Sequence, residues 1–340
     1  MGLTPGAGKA TTLGYLLRGL QDRGEEVGIV AAGREEEDVE FTQAPRGLTL
    51  PLRMGTVVAT SAAALERSTA SVEMIEKTTI ETHQGPIVIA LVLADGDVEP
   101  QGPASAHELR TIVDSVARHT GGRVLIEGSF NRRSFAAPGI ADGIILAVGA
   151  ALAPEIERTV AGTRYYFELF SIPPCEPRVA DVFPVAESES AAVLLNDAYA
   201  IVGGIPWRSL GNAKLLLSQS HPPFTRIVVP SSVGDEFVIP LLRERVQFEI
   251  VVRDPMRIAL SPVYYSAWQK LGGGIRVVHP TRVLALAVNP TNPAGPDQDP
   301  DEFLEAFREG MPETPAHDVV MEQNPAQPRK RWFGIGASSD

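Results

Sequence analysis

The stretch GLTPGAGKATT, residues 2–12, opens this 340-residue chain and decides how the rest is interpreted. Its glycines allow the backbone to curl so that N–H groups point inward at an anion. Leucines at helical spacing follow within residues 13–20, so the stretch leads into an amphipathic helix whose N-terminus carries partial positive charge. Lys9 follows Gly8 directly, where it can reach terminal phosphates. The stretch predicts a phosphate-binding loop, and the alternative is a flexible turn.

Two features of this loop depart from the common pattern. Five residues separate Gly2 from Gly8, where the plain pattern has four. The longer spacing resembles the loop of dethiobiotin synthetase and its relatives. Ala10 stands where the pattern has a Ser or Thr whose hydroxyl ligates Mg²⁺. Thr11 or Thr12 is the candidate substitute, so we expect phosphate binding to persist and magnesium-assisted hydrolysis to be in doubt.

The position of the loop in the chain is also unusual. A phosphate-binding loop ordinarily follows a buried strand, and here only Met1 precedes it. Either a strand of about six residues lies upstream of Met1, or the sheet lacks its usual central strand. We expect the first alternative, because a gap between the strands of a sheet is energetically unfavourable.

Further candidate residues follow two predicted strands. Glu127 ends the apolar run RVLIE, where an acid can hold Mg²⁺ or its water; the alternative is a solvated carboxylate. Asn131, Arg132 and Arg133 come next, and Arg132 is the candidate phosphate contact, with surface arginines as the alternative. An acidic run at residues 35–38 could supply a second acidic residue near the magnesium ion, although such runs are usually solvated.

Composition narrows the functional classes. The formal net charge of −12 disfavours nucleic acid and anionic membranes as partners. One cysteine, Cys175, cannot form an internal disulfide and fits a reducing cytoplasm. No apolar run approaches the ~20 residues that a bilayer requires. The six histidines show no metal-ligand spacing.

Strand and helix patterns alternate along the chain, which predicts an α/β fold with a mostly parallel sheet and helices on both faces. Three prolines within residues 172–177 mark a change in sequence composition. We therefore expect a nucleotide-binding domain over residues 1–174 and a smaller α/β or α+β domain over 175–321. Residues 322–340 are polar and are expected to form a disordered tail.

Several blocks resemble the reactivase subunit that accompanies adenosylcobalamin-dependent lysine 5,6-aminomutase and D-ornithine 4,5-aminomutase. The resemblance runs in patches from about Gly2 to Val320. The blocks are GLTPGAGKATTLGYLL (2–17), the region of Gly33, MGTVVATSAAALERS (54–68), QGPAS (101–105), FNRRSFAAPGIADGIILAVGAAL (130–152), VVRDPMRIALSP (251–262) and LALAVNPTNPAG (284–295).

The resemblance implies an ATP-dependent factor that opens the mutase and lets inactivated cobalamin exchange for fresh cofactor. The loop residues that match the family are Gly2, Ala7, Gly8, Lys9, Thr11 and Thr12. Ala10 departs from it, Glu127 replaces the more usual Asp, and Asn131 stands where the family often has Asp. These departures put ATP turnover in doubt.

The predicted site therefore has three parts. Lys9 and Glu127 are the candidate catalytic residues, and Thr11 and Glu127 are the candidate metal ligands. Gly6 and Arg132 join the matching loop residues as candidate nucleotide contacts. ATP is the default nucleotide because no guanine-reading N-K-x-D motif occurs. The rival functions are a ligase or kinase of the dethiobiotin synthetase type and a non-catalytic nucleotide-binding regulator, and the oligomeric state stays open.

Overall fold

The computed structural model describes residues 1–4, 6–32, 49–128, 135–207, 212–218, 223–293 and 295–323. They divide into two compact units, one formed by Met1–Thr163 and Leu284–Asp340 and the other by Arg164–Val283. The chain thus leaves the first unit and returns to it. This division differs from two successive domains over residues 1–174 and 175–321.

The elements follow in chain order. Up to residue 170 they are α1 (Lys9–Gln21), β1 (Gly28–Ala31), β2 (Leu50–Leu52), β3 (Val57–Ser61), α2 (Ala62–Glu66), β4 (Ser71–Thr82), β5 (Gly85–Ala94), β6 (Gly96–Val98), α3 (Ala106–His119), β7 (Val124–Glu127), β8 (Ile144–Gly149) and α4 (Ile156–Phe170). Beyond it they are α5 (Pro177–Ala180), α6 (Phe183–Glu189), β9 (Ala191–Leu195), β10 (Ile201–Pro206), α7 (Asn212–Ser218), β11 (Arg226–Val228), β12 (Val233–Gly234), α8 (Asp235–Arg243), β13 (Glu249–Val252), β14 (Ile258–Ala259), α9 (Pro262–Leu271), β15 (Gly274–Val277), β16 (Val283–Asn289), α10 (Pro300–Gly310), β17 (Ala316–His317) and α11 (Val319–Gln323). Short 3₁₀ turns cover Ala150–Leu152 and Pro255–Arg257.

The main sheet of the first unit has the order β4-β5-β3-β1-β7. β1 runs parallel to β3 and β7, whereas β5 is antiparallel to β3 and β4. The α/β class is confirmed, but the expectation of a mostly parallel sheet is wrong for this sheet. The reason is local: Thr82 pairs with Gly85, and a two-residue connection can only join antiparallel strands.

Helices cover both faces of this sheet. Successive residues of a strand point to opposite faces. Accordingly, Ile29 packs in one apolar cluster with Leu13 and Leu17 of α1. Val30 packs in another with Leu109 and neighbouring residues of α3. The continuous apolar run of β1 is therefore buried from both sides, as expected of a strand between two helical layers.

A second sheet in the first unit has the order β17-β16-β8. The start of the chain joins it, because Gly2 forms a parallel bridge with Ala147 of β8. This pairing explains why residues 284–323 belong with the N-terminal part of the chain, since β16 and β17 extend the sheet that β8 begins. β2 and β6 form a small antiparallel pair.

The second unit contains a sheet of order β10-β9-β11-β13-β15. β11, β13 and β15 are parallel, and β9 is antiparallel to both β10 and β11. Ile250 packs on one face with Phe237 of α8 and Trp268 of α9. Val251 packs on the other face with Phe183 of α6. Helices thus cover both faces of this sheet as well.

Candidate functional site

The predicted phosphate-binding loop connects the bridge at Gly2 to helix α1. Leu3 donates its backbone N–H to the Ala147 carbonyl at 2.9 Å, which anchors the start of the loop on β8. Gly6 and Gly8 adopt positive φ angles of 72° and 92°. Side chains rarely tolerate this left-handed region, so both turns require glycine. Gly8 is then the N-cap residue of α1, which begins at Lys9.

The ends of two strands hold this loop closely. Ala7 is buried, and a Cβ atom added to Gly149, at the end of β8, would lie 3.2 Å from the Ala7 Cα. The buried Asn289, at the end of β16, donates its side-chain N–H to the Gly6 carbonyl at 3.1 Å. Its oxygen accepts from the Thr291 N–H at 3.1 Å, which fixes the orientation of the amide.

The sequence-based prediction missed Asn289 and Gly149. The usable signal for Asn289 is a lone amide residue that ends the apolar run LALAVN, residues 284–289. Its contact with Gly6 spans 283 residues of sequence. No local pattern identifies such a partner.

Lys9 and Gly2 fit together at the mouth of the loop. A Cβ atom added to Gly2 would lie 2.7 Å from the Lys9 Cγ, so the Lys9 chain lies across the position where Gly2 has no side chain. Lys9 also lines a cleft to which Glu127, at the end of β7, contributes. Within the described ranges, Lys9 makes no salt bridge. Its charge is therefore not neutralised by a described carboxylate at contact distance.

Some hydroxyl groups of the loop form hydrogen bonds within the protein, and others do not. Thr12 is buried and donates its hydroxyl to the Gly8 carbonyl at 2.9 Å, which closes the first turn of α1. Thr11 lies one residue earlier on α1 and is half-buried. Thr4 Oγ1 is buried and has no hydrogen-bond partner among the described residues. A buried hydroxyl without a partner is destabilising, and a ligand oxygen would satisfy it.

The residues present fit a phosphate group better than a magnesium ion. Two left-handed glycines, the start of α1 and the Lys9 ammonium suit an anion. Ala10 offers no oxygen, and the Thr12 hydroxyl is already engaged. Across the described part of the chain, no group of three His, Cys, Asp or Glu side chains is placed to hold a metal ion. Glu127 and Thr11 therefore remain isolated candidates for magnesium.

The cleft beside the loop has a volume of about 500 Å³. The terminal ammonium of Met1 lies at its edge and donates to the Ile145 carbonyl at 2.7 Å. Burial lowers the pKa of this ammonium from 8.0 to about 6, while the negative charge of Glu127 opposes the shift and Lys9 adds to it. Met1, Lys9 and Glu127 thus interact electrostatically at one end of the cleft.

Some predicted residues lie outside the described residues. They are Asn131, Arg132, Arg133 and the acidic run at 35–38. The predicted roles of Arg132 and of a second acid therefore stay predictions.

A charged cluster in the second unit is internally paired. Arg253 follows β13 and forms an ion pair with Glu187 of α6. Asp254 is buried and accepts the Met256 N–H at 2.9 Å. Burial raises the pKa of the Asp254 carboxyl, with the nearby Arg257 opposing the shift. This cluster shapes a turn.

Comparison with protein-family models, curated proteins and solved structures finds no significant match for this chain. Among the described residues, no helix has the combined length and apolar character that crossing a membrane requires.

Proposed function

We propose that the first unit binds the phosphates of a nucleoside triphosphate, with ATP as the nucleotide, and that the protein acts as a nucleotide-dependent reactivating factor for an adenosylcobalamin-dependent aminomutase. The observation that supports nucleotide binding is the loop itself. Gly6 and Gly8 are left-handed, α1 starts at the loop, and Lys9 lacks a described counter-ion.

The loop would bind an anion through fixed groups. Asn289, at the end of β16, and Ala147, within β8, hold the loop backbone before any ligand arrives. Such preorganisation lowers the conformational cost of binding. Lys9 would meet the terminal phosphates, and the unpartnered Thr4 hydroxyl could donate to a phosphate oxygen.

We propose further that the protein hydrolyses bound nucleotide slowly or not at all when its partner is absent. The hydroxyl that ordinarily ligates magnesium is replaced by the methyl group of Ala10. The buried hydroxyl of Thr12, two residues further along α1, already donates to the Gly8 carbonyl. A protein with this loop suits a switch, in which bound nucleotide biases a conformational equilibrium that a partner senses.

The partner assignment rests on the resemblance of the sequence blocks to the aminomutase reactivases. The rival ligase or kinase function needs a substrate site beside the terminal phosphate, and the candidate group for it, Arg132, lies outside the described residues. The rival regulator function shares the nucleotide site and differs only in lacking turnover.

Phosphate release from ATP separates the three functions. Purified protein is assayed alone, with an aminomutase carrying inactivated cobalamin, and with small acids or amines as acceptors. The proposal expects release, and recovery of mutase activity, only with the mutase present. Release that requires a small acceptor would favour the ligase, whereas ATP binding without release under any condition would favour the regulator. Absence of ATP binding in a direct titration would overturn the proposed nucleotide site.

A further inference from the structure

The backbone of β7 leaves one of its edges without a strand. The carbonyls of Arg123 and Glu127 accept the N–H groups of Gly28, in β1, and of Ala32, which follows it. Because successive residues of a strand point their backbone groups to alternate sides, those of Val124 and Ile126 face away from β1. Among the described residues β7 ends its sheet, and these two residues line the cleft.

The opposite wall of the cleft is a second strand edge. Ala147 donates to the Met1 carbonyl at 2.7 Å and accepts from Leu3, so this side of β8 already pairs with the start of the chain. The Ile145 carbonyl faces the same way, because it accepts from the Met1 amino group. By alternation, the Ile145 N–H points into the cleft as well.

Helix surfaces with apolar side chains also line the cleft. Leu13 and Leu16 of α1 contribute, and so do Val113 and Ala117 of α3. These are the two helices that cover opposite faces of the main sheet. Residues of the connection between β7 and β8 complete the lining. Two strand edges with helices from both faces of the sheet form the environment of an interior strand in a doubly covered sheet.

We propose that this cleft is an acceptor site for one further β-strand: an extended, mostly apolar segment of about four to six residues that pairs with β7 and β8 at once and joins Met1 through its carboxyl end. The length matches β7 and β8, which have four and six residues. The segment would unite the two sheets of the first unit. The two open strand edges, rather than the position of Met1 in the sequence, carry this proposal, and it does not depend on nucleotide binding.

The direction of the segment follows from groups already paired. Gly2 runs parallel to β8. Met1 interacts electrostatically with Glu127, at the carboxyl end of β7, and the cleft extends from there along β7 to Val124. A segment leading into Met1 would thus run parallel to β7 too. It would replace a buried ammonium by an amide, which has no charge to desolvate.

Hydrogen exchange measured amide by amide tests the proposal. Three forms of the full chain are compared: the chain as it stands, one extended before Met1 by six alternating valines and isoleucines, and one with prolines at two of those six positions. The expected result is at least tenfold slower exchange at Val124, Ile126 and Ile145 in the valine–isoleucine form only. Ala147 serves as the internal reference, because its N–H is already bonded to Met1.

A blocking variant guards against non-specific stabilisation. Ala117→Trp places a large ring in the cleft from α3, whereas Thr111→Trp places the same ring on an exposed part of α3 outside the cleft. In the extended chain, the added protection should disappear with Ala117→Trp and persist with Thr111→Trp. Unchanged exchange at the three amides on extension would overturn the proposal. The proposal would also be overturned if the same peptide, added as a separate molecule, slowed exchange at these amides while the fused segment did not.

Discussion

Two four-residue strands of similar composition, β7 in the first unit and β13 in the second, lie in different surroundings. β13 has paired neighbours on both sides, β11 and β15, and its residues Ile250, Val251 and Val252 are buried. β7 pairs with β1 on one side, and all four of its residues are only half-buried. Apolar composition therefore predicts a strand, but the number of neighbouring strands decides how deeply it is buried.

The polar groups near the strand ends show the same contrast. After β13, the charges of Arg253 and Asp254 are satisfied by Glu187 and by the Met256 N–H. Beside β8, the Thr4 hydroxyl has no partner among the described residues. Groups that are already paired stabilise a turn, whereas unpaired ones at a preformed loop favour ligand binding. Substitutions at the loop test whether this difference between the units is functional.

The largest expected effect is that of Lys9→Ala on triphosphate binding. A hydrogen bond to a charged group is worth about 1.5–3 kcal/mol, so affinity should fall roughly tenfold to a hundredfold. Lys214→Ala removes the same charge from an exposed site in the second unit and should leave affinity unchanged. Calorimetric titration with ATP measures both. Equal affinities of Lys9→Ala and the unsubstituted protein would rule out the phosphate-binding loop.

The buried ammonium of Met1 should make the first unit lose stability as pH falls from 8 to 6. Its pKa is 8.0 when unfolded and about 6 when folded, so the unfolded chain binds more protons in this range. The expected loss in the free energy of unfolding is about 2 kcal/mol. Scanning calorimetry of the first unit's transition measures it. Acetylating the terminus removes the titrating group, so the acetylated protein should lack this contribution; the same pH dependence in both forms would contradict the assignment.

Local structure of the first unit was predictable from sequence because local signals carry it. The leucines of α1 and the apolar run of β1 specify a helix and a buried strand without reference to distant residues. The hairpin of β4 and β5 shows how a local signal opposes the expected parallel sheet. The two-residue connection between Thr82 and Gly85 forces its two long strands to be antiparallel.

The arrangement around the loop was not predictable in the same way. The bond from Asn289 to Gly6 and the close approach of Gly149 to Ala7 join residues more than 140 positions apart. The return of β16 and β17 to the first unit depends on such pairings. A single sequence shows which residues are apolar or small, but it does not show which strand edges meet.

Gly149→Ala should weaken nucleotide binding by a smaller factor. The new Cβ would lie 3.2 Å from the Ala7 Cα, a backbone atom, so the loop must shift by a few tenths of an ångström. We expect a loss of about 1 kcal/mol, or roughly fivefold in affinity. Gly19→Ala is the matched control: nothing lies within 4 Å of its new Cβ, and alanine favours the helix by about 0.4–1 kcal/mol. An equal loss in both variants would argue against tight packing at Gly149.

The smallest expected effect separates phosphate binding from magnesium binding. Ala10→Thr adds a hydroxyl at the position that ordinarily ligates the metal, whereas Ala10→Val adds a side chain of the same shape without the oxygen. If the loop has the proposed geometry, Mg²⁺ should raise the ATP affinity of the Thr variant about threefold more than that of the Val variant, a difference of roughly 0.7 kcal/mol. Titrations with Mg²⁺ and with a chelator measure this difference. Because both substitutions add a β-branched residue to the first turn of α1, any effect on the helix itself cancels in the comparison. An identical response to Mg²⁺ would mean that residue 10 does not face the metal of a bound nucleotide, and Ala10 would then no longer explain an absence of hydrolysis.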